Sequence, residues 1–277
     1  METFQEVDIL SRFSLTFFFQ LVRYVLVAGG AYWLFYHLKR HEWLYFKIQQ
    51  KFPKDKDVRR EIGYSLVTMV IFSVVGLLIY FLRKEGLTQI YMEIESFGWL
   101  YFGVSIILAI FWHDTYFYWT HRMMHHPKLF RYFHKVHHLS HNPTPWAAFA
   151  FHPLEAVVEA GVLVFMVLLI PMHPLAILVF LIFMVVMNVL GHTGYEVFPP
   201  HFIHTWFGRW QNTPTHHNMH HQLGKGNYGL YFNLWDQWMN TNFKHYEATF
   251  EKNALRRTTT SEAKPLSPSA KLLPHEQ

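Results

Sequence analysis

Long apolar segments constrain this chain more than any other feature. A hydrocarbon core of about 30 Å calls for on the order of 20 helical residues and admits little besides a helical bundle. The first stretch runs from about Phe13 to Tyr36, broken only by Arg23 and the Gly29-Gly30 pair; the second covers about Ile62 to Leu82 and the third about Trp99 to Thr120. From Ala156 to Leu190 the chain is almost wholly apolar, but two prolines in Pro171-Met172-His173-Pro174 interrupt helical hydrogen bonding, so the spacing predicts a helical hairpin. Its arms of about 15 or 16 residues are short for a full crossing and fit a thin or re-entrant hairpin. Composition agrees: 51% hydrophobic and 19% aromatic against 16% charged residues is too apolar for an ordinary soluble domain. The expected fold class is all-α, a multi-pass membrane helical bundle of about three spans plus a helical hairpin.

Charge orients the bundle. Between His37 and Glu61 lie eight basic residues against four acidic ones, and such a loop is expected on the cytosolic side. The loop holding Glu85, Glu93 and Glu95 then falls on the far side, and the third span returns to the cytosol carrying His121. Both ends of the hairpin face that side too. Glu2, Glu6 and Asp8 provide no basic n-region, so a removable signal peptide is not expected. The net charge of +5 does not point to nucleic acid, because the basic residues crowd beside apolar segments and form no compact basic and aromatic motif.

Histidine is the second anomaly. Of 21 histidines, 17 lie between His113 and His221. His121 and His125 form an HxxxH unit, His134, His137 and His138 an HxxHH unit, and His217, His220 and His221 a second HxxHH unit. On a helix, positions i, i+3 and i+4 share a face, so each unit can aim its rings at one centre. Eight neutral imidazoles at one membrane face match two metal ions better than one, since each ion takes about four to six ligands. His192, at the cytosolic end of the hairpin, is the expected ninth ligand. His113 and Asp114 sit deeper in the third span, where an ionisable residue is a functional candidate by default. His126 and His216 flank the motifs as auxiliary residues, and His152 is expected to orient a ligand ring. With no cysteine, thiolate zinc sites and cysteine-ligated iron-sulfur clusters are excluded. The paired Glu-x-x-His motifs of soluble di-iron bundles are not visible around the clusters, so the site is nearly all histidine.

At these residues the chain resembles the fatty acid hydroxylase and sterol desaturase superfamily. Over about Trp112 to Thr241 it carries, in the family's order, Tyr118-Trp119-Thr120-His121-Arg122, His134-Lys135-Val136-His137-His138, Pro143-Thr144-Pro145 and Phe151-His152-Pro153. His216-His217-Asn218-Met219-His220-His221, Asn227-Tyr228-Gly229 and Trp235-Asp236 follow. Pro143-Thr144-Pro145 with Phe151-His152-Pro153 looks like sterol C5-desaturases, although those carry a Ser-His pair where this chain has Ala148-Phe149. Asn212-Thr213-Pro214-Thr215-His216-His217 looks like alkylglycerol monooxygenase. The resemblance implies a membrane oxygenase with two iron ions and O2 as co-substrate, hydroxylating or desaturating a sterol, fatty acyl, sphingoid or ether lipid. It also marks Asn227 as an auxiliary residue. Residues 1–97 are then the expected anchor with two spans and a basic loop, 98–250 the catalytic domain with its cytosolic histidine-rich cap, and 251–277 a disordered tail.

The chain has no motif for its own electron supply, so a separate donor is implied, cytochrome b5-like, ferredoxin-like or pterin. Two other readings stay open at this point: a zinc-dependent lipid hydrolase, and a non-enzymatic metal carrier or haem-binding membrane protein. The membrane is either a bacterial inner membrane or the endoplasmic reticulum.

Overall fold

The structure is a computed structural model that describes residues 8–262. All its regular elements are helical; among the described residues only isolated β-bridges occur, such as Lys47 with Tyr195. Four helices are long and apolar enough to cross a membrane: α1 (Ile9–Leu38), α2 (Asp55–Lys84), α3 (Gly98–Met124) and, after the short α4 (Pro127–Phe133) and α5 (Pro153–Leu169), α6 (Pro174–Gly191). Helix α5 has 17 residues and α6 has 18, so the hairpin arms are longer than the apolar run suggests. Likewise α2 begins at Asp55 and ends at Lys84, beyond the apolar Ile62 to Leu82. Hydropathy marks the hydrocarbon section, whereas helical hydrogen bonding continues through the charged ends. Asp55 and Asp57 in the first turn of α2, and Arg83 and Lys84 in its last, suit the helix dipole.

The polarity of the bundle is inverted relative to a soluble protein. Leu15, Leu26 and Leu100 are 70%, 69% and 84% exposed, while Gln20, Arg23, Ser73, Ser105, Asp114 and Glu159 are buried. A surface of that kind is stable only in lipid, where exposed leucine costs nothing and polar groups turn inward. Helix α1 contains π-type turns at Val25–Gly29 and Leu34–Leu38. Gly29 is needed there: a Cβ would come 2.9 Å from the Trp146 ring. The 3-10 turn Pro145–Phe149 wedges between helices, with the Trp146 carbonyl accepting from Tyr24 Oη at 2.7 Å on α1 and from Ser65 Oγ at 3.0 Å on α2.

One end of the bundle carries the rest: α7 (Pro214–Leu223), α8 (Leu234–Trp238) and α9 (Tyr246–Glu262). The basic loop lies at this end too, since Arg60 donates to the Leu139 carbonyl at 3.0 Å and Ile48 N to Gly194 O at 3.0 Å. Helix α9 corrects the expectation of a disordered 251–277 tail, because the chain stays helical to Glu262. Tyr246, Phe250 and Ala254 recur at i, i+4 and i+8 and bury a stripe against Ile203 and Met219. The remainder, 263–277, lies outside the described residues.

Candidate metal centre

Helix α7 is the anomaly from which the site is built. Every residue from Pro214 to His221 is buried, although the segment is mostly polar. Thr213 caps it by accepting from His216 N at 3.2 Å, and Glu196 accepts from Thr215 N at 3.0 Å, placing a carboxylate at the positive end of the helix. A buried helix of histidines requires partners, and the other histidine units supply them.

Nine histidines gather into two groups. His121, His125, His134, His138 and His220 form one, and His137, His192, His217 and His221 the other; within each, one nitrogen per ring lies within 4.8 Å of the rest. These nine are the ligands expected from sequence. The units do not each serve one centre, however. In both HxxHH units the i and i+4 rings stay together, while the i+3 ring crosses to the other group: His137 joins His217 and His221, and His220 joins His134 and His138. The His134 unit is a turn followed by the 3-10 segment His137–Leu139, so helical spacing does not govern it.

The contacts fit metal and little else. In the five-histidine group, Nε2 atoms meet at 2.8 Å for His121 and His134, 3.1 Å for His125 and His220, and 3.0 Å for His138 and His220. In the four-histidine group, His192 Nε2 lies 3.3 Å from His137, 3.0 Å from His217 and 3.2 Å from His221, and the last two are 3.2 Å apart. Ligands about 2.1 Å from an ion are separated by about 3.0 Å in an octahedral arrangement and about 3.4 Å in a tetrahedral one. At the closest contact, His121 with His134, ring protonation argues against an ordinary hydrogen bond. His121 Nδ1 donates to Tyr228 O at 2.7 Å, His220 Nδ1 to Gly226 O at 2.7 Å and His192 Nδ1 to Asn188 O at 2.8 Å. His134 Nδ1 meets the Glu155 carboxylate at 2.5 Å. A carbonyl can only accept, so Nδ1 carries the proton and Nε2 of a neutral ring carries a lone pair. Lone pairs 2.8 Å apart on His121 and His134 repel unless a cation stands between them.

Burial keeps these rings neutral. It pushes His192 and His220 down to about 4 and holds His134, His137, His138, His217 and His221 well below the usual 6.5, with neighbouring histidines adding to the effect in the last five. Between pH 6.5 and about 4 the unfolded chain therefore binds more protons than the folded one, so stability falls as pH falls through that window. Metal ligands must also be deprotonated. The melting midpoint of metal-free protein is expected to drop steadily from pH 7 to 4, and bound metal to be released over the same range; a flat profile in both would contradict the neutral-imidazole assignment.

The auxiliary residues divide. Helix α5 brings Glu155, in its first turn, to His134. His152 corrects an expectation: it touches no ligand ring and caps α5, accepting from Leu154 N at 3.3 Å. A Cap-Pro sequence at a helix start explains it, since the ring points to the free amides. His126 does the same for α4 through Lys128 N at 3.4 Å and is exposed. His113 belongs to neither histidine group and stacks on Tyr231 with centroids 5.3 Å apart. Asp114 accepts from Tyr231 N at 2.8 Å and Phe232 N at 3.2 Å, pinning the loop after α7 to α3. His216 bonds Asn242 at 3.0 Å, and Asn227, at φ 55°, donates to the His216 carbonyl at 3.0 Å.

That loop provides what side-chain reading misses. The carbonyls of Gly226 and Tyr228 orient two ligand rings, and Asp236 holds the loop by accepting from Tyr228 N at 2.9 Å and Gly229 N at 2.6 Å. The only sequence signals were Asn227-Tyr228-Gly229 and Trp235-Asp236. Gly226 adopts φ 146°, and a Cβ there would lie 2.6 Å from Thr241 O. Gly226→Ala is expected to displace the carbonyl from His220 and weaken metal binding by the five-histidine group by about 10-fold or more, as loss of a ligand's orienting partner does. Chelator competition on the purified variant checks this; unchanged retention would contradict the role given to the loop.

Helices long and apolar enough to cross a membrane, ending in histidine groups that could hold metal ions, define the class of protein. Residues 106–241 match the family model described as Fatty acid hydroxylase. The chain is 30% identical over 217 residues to a Delta(7)-sterol 5(6)-desaturase of Gibberella zeae, covering 78% of this chain and 63% of that protein. It is 30% identical over 237 residues to lathosterol oxidase of Rattus norvegicus, covering 82% of this chain and 76% of the relative. With human lathosterol oxidase the identity is 28% over 228 residues, 79% of this chain and 74% of the relative. No solved structure matches the chain significantly. The chain belongs to the fatty acid hydroxylase and sterol desaturase superfamily.

Proposed function

We propose that this protein is a membrane-bound non-haem di-iron oxygenase that hydroxylates or desaturates a lipid, a sterol being the first candidate because its relatives are named for sterol desaturation and lathosterol oxidation. One observation carries the reading: nine histidines, eight of them buried and His125 half-buried, converge through Nε2 in two groups, four of them with Nδ1 tied to an acceptor. His121, His125, His134, His138 and His220 would hold one iron, and His137, His192, His217 and His221 the other. Iron there would supply the means to reduce O2 at the expense of an unactivated C–H bond. The O2 molecule takes four electrons, two from the lipid and two from an external donor, and ends as a hydroxyl plus water or as two waters beside a new double bond.

The chain's own residues do the rest. Glu155 and the Gly226, Tyr228 and Asn188 carbonyls hold the rings in one tautomer. Phe117 and Phe151 pack on His121 and His137, with centroids 4.8 and 5.3 Å away, and keep water from the membrane side. Five imidazoles at octahedral-like spacing exceed the four ligands typical of zinc, which disfavours the hydrolase reading. The basic loop between Lys39 and Arg60 shares an end with the site, which supports a cytosolic face and an acidic electron carrier docking there.

The test is to reconstitute iron-loaded protein in membranes containing a total lipid extract, with O2 and a chemical reductant. A lipid gaining one oxygen or losing two hydrogens is expected, and only with all three present. Hydrolysed lipid without O2, or zinc alone restoring activity, would refute the proposal.

A further inference from the structure

Between α1, α2, α3, α5 and α6 lies a cleft whose empty space, counting its open mouth, is ≈ 820 Å³. Its floor includes Phe117 and Phe151, the residues packed on His121 and His137, so one layer of aromatic rings separates it from both histidine groups. Thr16, Phe19 and Gly76 line its other side on α1 and α2, the membrane-facing part of the bundle. Most of the lining is apolar, as a lipid chain or ring system requires.

Three of its lining residues are ionisable. Arg23, His113 and Glu159 come from three different helices and are 7%, 3% and 8% exposed. Each keeps a buried polar atom with no hydrogen-bond partner: Arg23 Nε, His113 Nδ1 and Glu159 Oε1. Arg23 and Glu159 form no ion pair with each other; Arg23 Nη1 instead donates to the Leu181 carbonyl at 3.2 Å. Ionisable groups at membrane depth persist where a ligand or pathway uses them, and buried polar atoms left open call for a partner.

The unmet atoms match one chemical group. Arg23 Nε–H is a donor, a Glu159 oxygen is an acceptor, and His113 Nδ1 serves as either according to its tautomer. An alcohol offers one donor and two acceptor lone pairs. A methyl ether lacks the donor, and a carboxylate, which only accepts, would leave the Glu159 oxygen unmet. Depth argues against a phospholipid headgroup: Glu159 lies four residues, about 6 Å, past Glu155, and His113 eight residues, about 12 Å, before His121, both on the membrane side of the ligands.

We infer that Arg23, His113 and Glu159 form a recognition site for the lone hydroxyl of a lipid, which binds with that hydroxyl inside the bundle and the carbon to be oxidised toward the histidine groups. The inference rests on the proposed lipid oxidation and names its substrate class, a mono-alcohol. Sterols and long-chain alcohols share that chemistry.

The test needs no metal and no turnover. Binding of labelled cholesterol and 1-hexadecanol to the full-length, metal-free protein in nanodiscs is compared with binding of their methyl ethers. At least one alcohol is expected to bind about 10-fold or more tightly than its ether; which one does so distinguishes a sterol from a straight-chain source. Glu159→Leu should cut that preference below about 3-fold, and Glu159→Gln, which retains an acceptor oxygen, should keep part of it. Ethers and alcohols bound equally by the unsubstituted protein would overturn the inference whatever the variants do, as would an undiminished preference in Glu159→Leu. An alcohol preference without oxidised product from iron-loaded protein would sink the oxygenase reading alone, whereas product without an alcohol preference would sink only this inference.

Discussion

Replacing His220 with alanine is expected to reduce lipid oxidation by more than about 100-fold, beyond what loss of a ligand's supporting partner costs, and to lower bound iron from about two to about one per chain. His220 is the hub of the five-histidine group, with Nε2 3.1 Å from His125 and 3.0 Å from His138. Its crossing from the α7 unit into the group of His121 and His134 makes the expectation specific. His217→Ala, three residues away on the same helix, should empty the other group and spare this one. The pair of variants therefore separates two sites from one large site. His141→Ala is the control: its Nδ1 lies 3.4 Å from the His221 carbonyl, outside both groups, and both metals should remain. Membrane insertion should be unaffected in all three. Full activity and metal content in His220→Ala would remove the ligand assignment.

Changing Glu155 to glutamine should weaken metal binding in the five-histidine group by about 10–100-fold without removing any ligand. The carboxylate is 1% exposed and lies 2.5 Å from His134 Nδ1. It fixes which nitrogen of His134 holds the proton and makes the ring a stronger donor to a cation. Glutamine preserves an acceptor but not the charge, and Glu155→Leu preserves neither, so the expected order of metal retention is Glu, then Gln, then Leu. Competition with a graded series of chelators reads this order directly. The four-histidine group, whose orienting contact is from His192 to the Asn188 carbonyl, should hold its metal in both variants. Equal retention across the series would show that Glu155 is merely a buried acid.

The nine histidines could be singled out before any fold was known because imidazole at i, i+3 and i+4 spacing is rare without a purpose, and His192 could be added because the hairpin returns it to the same end. How the nine divide could not. That depends on where the His134 turn meets α7, a tertiary relation that local spacing does not encode. His152 differs from expectation for a related reason: a histidine before proline at a helix start reads as a ligand partner when counted by residue type and as a cap once the amides are in place, and His126 caps in the same way. Gly226 and Tyr228 act through backbone carbonyls, which no side chain advertises. In the fold, apolar runs located every long helix but shortened each one, since charged ends such as Asp55 and Lys84 remain helical. Helix α9 escaped because the Ser, Thr and Pro content beyond Arg256 outweighed the Tyr246, Phe250 and Ala254 stripe before it.

The two-site claim is tested most directly by counting metal. Protein purified without added metal, loaded anaerobically with ferrous iron and freed of excess, should retain about two irons per chain, and Mössbauer spectra should show both in nitrogen-rich coordination. His220→Ala and His217→Ala should each retain about one. A single iron in the unsubstituted protein, or two irons in either variant, would contradict the account.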